Sequence, residues 1–179
     1  MSGEYDFDFE PDLADVARAG RAELRDVQEL AEDASEQLAR KEADLVDLIL
    51  DAMHRGQRLR ARLGSWQFDG AVTHVADDLA VLDDGAGARV DVRLSALSEL
   101  WLHPPVRGAG RGRRASTPAS FEDCLEGLET TGGEVELGGP DLPPSPCRVL
   151  VAARDHVLLQ GRSGQRVVPR GAIGFIVRR

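Results

Sequence analysis

Cysteine, aromatic side chains and lysine are all scarce in this 179-residue chain. Cys124 and Cys147 are too few for a disulfide framework or a four-ligand zinc site. Aromatics make up 4% of the residues, so a packed core has to come from Val, Leu and Ala. No stretch approaches the ~18 continuous apolar residues that a membrane span needs. The opening MSGEYDFDFEPDLADV is acidic and lacks the basic and apolar regions of a signal peptide. These absences predict a cytoplasmic chain with no membrane partner. Lys41 is the one lysine among 22 basic residues, a usage that points to a GC-rich genome rather than to a function.

Catalytic signals are equally thin. His54, His74, His103 and His156 are dispersed, and none has a Cys or His neighbour at metal-ligand spacing. Neither a G-x-S-x-G elbow nor an HExxH pair occurs. GAGRG, at 108–112, lacks the flanking strand and helix of a phosphate-binding loop. The expectation is a chain that is not an enzyme, with no catalytic residue, metal or cofactor.

What the chain does contain is charge, unevenly placed. Residues 1–53 hold sixteen acids and five bases, whereas residues 104–120 hold four arginines and no acid. The remaining segments, 54–103 and 121–179, carry −1 each. The net charge of −9 therefore belongs to the N-terminal arm, and a basic linker divides two nearly neutral regions.

Those two regions repeat one another. FDGAVTHVADDLAVLDDGAGARVDVRLSAL (68–97) returns as PCRVLVAARDHVLLQGRSGQRVVPRGAI (146–173). At an offset of 77, Val72/Val149, Asp78/Asp155, Leu82/Leu159, Gly87/Gly164, Arg89/Arg166, Val90/Val167 and Arg93/Arg170 are identical. A one-residue slip after Arg93 then aligns Ala96, Leu97 and Leu100 with Ala172, Ile173 and Ile176. Upstream, an offset of 76 carries Leu45, Leu48, Ile49 and Ala52 onto Phe121, Cys124, Leu125 and Leu128. Gly56 falls on Gly132. Duplication of one unit, a helix followed by short strands, explains the pattern.

Within the unit, RLRARL (58–63) alternates arginine with apolar residues, the period of a half-buried strand. Further strands are expected at roughly 67–75, 78–83 and 88–94, with a last one ending near Leu102 and DDGAG as a hairpin turn. Ser120 with Asp123 has the form of a helix N-terminal capping box. Five short strands after a helix predict a small, strongly bent antiparallel barrel. Leu24, Val27, Ala31, Ala34, Leu38, Lys41, Leu45 and Leu48 fall alternately three and four apart, the seam, interrupted by Lys41, of a helix suited to self-association or to folding onto its own domain.

The expected fold is therefore α+β: an N-terminal long helix and two tandem helix-plus-five-stranded antiparallel small β-barrels. The boundaries are an acidic, disordered arm (1–20), a long amphipathic helix (21–55), a first barrel (56–103), an Arg/Gly/Pro linker (104–119), and a short helix with a second barrel (120–179).

Gly70, Val72, Val75, Asp78 and Leu82 resemble the first motif of the Sm-like family, which includes Hfq and the LSm proteins. VVPRGAIGFIV (167–177), through Arg170, Gly171, Ile173 and Ile176, is similar to that family's second motif. The resemblance implies ring assembly and binding of RNA or single-stranded nucleic acid. The family's RNA-holding asparagine is missing from both copies, its Lys-His pair is missing from copy one, and Cys147 replaces the motif glycine of copy two. Of the functional positions only Arg170 matches.

Arginines are the candidate phosphate contacts: Arg55 just before the first strand, Arg58, Arg60 and Arg62 on it, and Arg107, Arg111, Arg113 and Arg114 in a linker that resembles arginine-glycine segments. Arg58 and Arg60 also align with Glu134 and Glu136, an opposition expected to orient one unit against the other. Two functions are thus expected to compete. One is nucleic-acid binding; the other is a protein–protein adaptor or homo-oligomer that associates through the long helix.

Overall fold

The computed structural model describes residue 25, residues 43–104 and residues 118–179. Helix α1 spans Leu45–His54, and strands β1 (Arg58–Leu63), β2 (Trp66–Ala76), β3 (Leu79–Asp83), β4 (Arg89–Arg93) and β5 (Glu99–Leu102) follow it. Helix α2 (Phe121–Thr131) opens the second half, followed by β6 (Glu134–Gly138), β7 (Ser145–Ala152), β8 (His156–Gly161), β9 (Gly164–Pro169) and β10 (Phe175–Arg178). A short 3-10 turn precedes each half's last strand, at Leu94–Ala96 and Arg170–Ala172.

The expected pair of closed barrels does not form. All ten strands make one open antiparallel sheet in the order β5-β1-β2-β3-β4-β10-β6-β7-β8-β9. Each half does pair its fifth strand with its first: Ala61 faces Leu100, and Leu137 faces Ile176. Closure fails at the fourth strand. β4 turns its free edge to β10 of the other half, with Phe175 opposite Val92 and Val177 opposite Val90.

The cores are exchanged along with the strands. Phe175 and Val177 of the second half sit in the first half's core with Leu59, Val72, Leu82 and Val92. Leu79 and Val81 of the first half sit in the second half's core beside Phe121, Leu125 and Ile176. Phe175 is 1% exposed and packs its ring 4.7 Å from that of Phe68. Each core, built mainly from its own half, is completed by two buried residues of the other, so one sheet replaces two barrels.

The long helix over 21–55 is also corrected. Asp44 holds an extended backbone (ψ 162°) at the N-terminus of α1, so no helix runs through it. α1 has ten residues and α2 eleven, too short for a coiled-coil arm. The seam positions Leu24, Val27, Ala31, Ala34 and Leu38 lie outside the described residues. α1 instead buries Ile49 and Ala52 against its own half. α2 starts as its capping box requires, with the Ser120 hydroxyl accepting from the Asp123 N–H at 3.0 Å. It ends at Gly132, whose φ of 64° is the left-handed cap that glycine adopts freely.

Ladder partners relocate the slip in the repeat. Val72 pairs with Leu82 and Val149 with Leu159, both at the offset of 77. Leu82 then pairs with Val90, but Leu159 pairs with Arg166, so β4 and β9 correspond at 76. The slip lies in the third hairpin, one residue shorter in the second half, and not after Arg93. The matches Arg89/Arg166, Val90/Val167 and Arg93/Arg170 are therefore coincidences of sequence. Asp91 corresponds to Val167, and Leu94 to Arg170.

Candidate assembly surface

Most of the predicted phosphate-binding arginines already have partners. Strand register places Asp69 opposite Arg60 and Glu99 opposite Arg62, and both pairs form, at 3.0 and 3.2 Å. Arg58 donates to the Asp84 carbonyl at 3.2 Å, and Arg55 pairs with Asp51 at 3.0 Å one helical turn away. Arg170 is turned inward, donating to Glu122, to Glu126 (3.3 Å) and to the Ala152 carbonyl (2.9 Å). Arg107, Arg111, Arg113 and Arg114 lie outside the described residues. The expected opposition of Arg58 and Arg60 to Glu134 and Glu136 is not made within the chain either. Glu136 pairs with Arg179 at 2.9 Å.

Burial acts to raise the Asp69 carboxyl, but the Arg60 guanidinium and the His103 ring outweigh it and hold the group below its ordinary value. His103 Nε2 lies 3.4 Å from Asp69, so these charges form one small cross-strand cluster. Each pair is about 40% exposed or more and contributes little stability against water.

Buried polar chemistry concentrates instead where the halves meet. Asp91 is 0% exposed and is held by Arg89 on its own strand (2.8 Å) and Arg178 on β10 (2.7 Å). Beside it, Arg93 stacks 4.5 Å from the centre of the Phe121 ring and pairs with Glu122 at 2.7 Å. The Asp78 carboxylate accepts from the Phe121 N–H at 2.9 Å, so a first-half turn caps the second half's helix. His74 Nε2 meets the Pro118 carbonyl oxygen at 2.8 Å. Strand pairing, helix cap and ion pairs together define how one unit receives the next.

The sheet also presents two ends. Among the described residues, β5 is paired only with β1, and β9 only with β8. Five large apolar side chains are exposed among the described residues: Leu45, Trp101, Leu102, Val151 and Val167. Trp101 and Leu102 lie on β5, and Val167 on β9. Leu45 begins α1, and Val151 lies on β7, two strands in from the β9 edge. Of the self-association candidates within the described residues, Leu45 is thus exposed and Leu48 half-buried. Sequence reasoning missed Trp101, Leu102 and Val167; alternation marks them as strand residues but carries no information about which strands are outermost.

Both cysteines are buried free thiols. Burial pushes Cys124 up to about 12, helped by the carboxylate of Asp91, and burial raises Cys147 as well. A thiol of that value is ionised in about 1 molecule in 10,000 at pH 8, and the thiolate is the reactive form. Neither cysteine is expected to react with a disulfide reagent in the folded protein at pH 8, and both to react within seconds in denaturant, read by absorbance. The raised values also make the folded state hold these protons longer than the unfolded one. Stability is therefore full below pH 9 and falls as pH rises from about 9 toward 12.

Among the described residues no group of three His, Cys, Asp or Glu could hold a metal ion, and no helix is long and apolar enough to cross a membrane. Compared with family models, with curated proteins and with solved structures, the chain matches none.

Proposed function

We propose that this chain is a cytoplasmic, non-enzymatic assembly module whose working surfaces are the two open ends of its sheet. One observation carries the reading: of the five large apolar side chains exposed among the described residues, three, Trp101, Leu102 and Val167, lie on the two edge strands. Solvent-facing edge strands usually carry charge, proline or a bulge that blocks further pairing. β5 has one charge, Glu99, and ends in Trp101 and Leu102; β9 has Arg166 and ends in Pro169, yet carries Val167 at 63% exposure. Two buried thiols fit a reducing compartment.

Nucleic acid is the second reading, supported by the arginine cluster of the linker. It draws little from the sheet, where Arg58, Arg60, Arg62 and Arg170 are engaged by carboxylates and carbonyls.

A photo-crosslinking amino acid placed in living cells separates the two. At Trp101 or Val167 it is expected to capture protein, and at Gln67, exposed on the interior strand β2, nothing. Capture of RNA at the ends, or of nothing at all, contradicts the reading.

A further inference from the structure

We infer that the partner of these ends is a second copy of the same chain, with β9 of one copy pairing antiparallel to β5 of the next. The inference deepens the assembly reading and rests on it. Its template is the contact already inside the molecule. There, the fourth strand of one unit (β4) pairs with the fifth strand of the other (β10). Among the described residues, the strands with one edge left unpaired are the fourth of the second unit (β9) and the fifth of the first (β5). They are the same two kinds of edge, in the same relation.

The offset of 76 transfers the register. Phe175↔Val92, Ile176↔Asp91, Val177↔Val90 and Arg178↔Arg89 become Glu99↔Val168, Leu100↔Val167, Trp101↔Arg166 and Leu102↔Gln165. Hydrogen bonding is compatible with this. Arg93 donates to Gly174 across the internal contact at 2.8 Å, so Asp91 and Arg89 present their backbone groups to β10. Their counterparts Val167 and Gln165 present theirs outward. On β5, the His103 N–H is used on Arg58, which leaves those of Leu100 and Leu102 facing out. Pro169 stands in the place of Arg93, so the contact between copies is one hydrogen bond shorter.

Every exposed apolar residue then finds the environment its counterpart already has. Leu45 corresponds to Phe121, which is 0% exposed beneath Arg93. Trp101 corresponds to Val177, buried at the internal contact, and Val151 to His74, which touches the segment before α2. Val167 corresponds to buried Asp91, and Leu102 to its partner Arg178. The two halves of that ion pair are thus both apolar at the open ends. An isolated change would leave a charge facing a hydrocarbon; a paired change preserves complementarity. The helix cap has a counterpart as well. Asp155 stands where Asp78 caps Phe121, its side chain 87% exposed, and Asp44 makes no capping bond at the start of α1.

One difference sets the strength. Phe175, the residue that enters the other half's core, is replaced by Glu99, which pairs with Arg62. The contact between copies lacks that anchor and is reversible, dependent on concentration. It is also head-to-tail, so it repeats from copy to copy rather than stopping at a two-fold dimer.

The test recreates the internal ion pair at the ends of the full chain. Sedimentation of the purified protein is expected to show species heavier than 19.4 kDa that grow with concentration. Val167→Asp or Leu102→Arg alone should weaken association about 100-fold, since each sets a charge against an apolar partner. Combining the two in one chain should restore it. All three variants should keep the wild-type melting temperature in dilute solution, because both sites are exposed there. A mixture of Trp101→Cys and Arg166→Cys chains should form disulfide-linked dimers, and neither alone should. A wild-type chain that stays monomeric, single variants that associate normally, a double variant no better than the singles, or dimers from Trp101→Cys alone would each overturn the inference. If the chain stays monomeric while the photo-crosslinks reach another protein, self-pairing fails and the assembly reading stands.

Discussion

Phe175→Ala is expected to cost about 3–5 kcal/mol of stability, the range for deleting a fully buried phenylalanine ring. The residue is 1% exposed and lies between Phe68 and Trp66, with ring centres 4.7 and 6.4 Å away. Those neighbours belong to the first half, whereas Phe175 arrives on the last strand of the second. The loss should therefore appear in both halves together. Trp66 and Trp101, the chain's two tryptophans, both lie in the first half and report on it by fluorescence. Circular dichroism reports on the whole sheet. The two denaturant curves should shift to the same lower midpoint in Phe175→Ala and remain superimposed. Curves that separate, with only the second half weakened, would show that the cores are independent.

The second large effect concerns the buried carboxylate. Asp91→Val should cost about 2–3 kcal/mol by leaving Arg89 and Arg178 without their anion. Both guanidinium groups are about a third exposed and can turn partly to water, which keeps the cost below that of a fully buried pair. Arg178→Leu should cost a similar amount, since it leaves Asp91 buried with Arg89 alone. The double variant D91V/R178L should lie within about 1 kcal/mol of wild type, because replacing both partners with apolar groups removes the desolvation cost along with the attraction. Denaturant midpoints of the four proteins form the cycle, and a double variant as unstable as the summed singles would contradict it. D91V/R178L also reproduces inside the chain the pairing inferred for Val167 and Leu102 between chains.

Much of this was written in local patterns. The alternation of RLRARL marks β1, the Ser120–Asp123 box marks the start of α2, and the offset of 76 places Leu45 and Phe121 on equivalent helices. Each of these depends on residues within a few positions of one another. Barrel closure does not. Whether β4 meets β5 or β10 is decided by where Phe175 and Val177 bury their side chains, and those residues lie more than eighty positions away. The heptad seam misled for a related reason: spacing continues across Asp44, but the backbone there is extended.

The arginines of β1 looked available because alternation shows only that Arg58, Arg60 and Arg62 share a face. Asp69 and Glu99, which engage two of them, come from the neighbouring strands and become visible only with the register. The open ends were hidden by the gap-free match. It set the exposed Val167 beside the buried Val90, one strand valine beside another, and concealed that Val167 stands in the place of Asp91. Once the third hairpin absorbs the slip, the paired loss of Asp91 and Arg178 at Val167 and Leu102 can be read from the sequence itself.

Amide hydrogen exchange at two protein concentrations tests the head-to-tail pairing most directly. At high concentration the amides of Leu100, Leu102, Gln165 and Val167 should exchange slowly, and on dilution they should exchange freely. Those of Asp91 and Ile176, paired within the chain, should stay protected at both. Edge amides that exchange freely at every concentration would contradict the account.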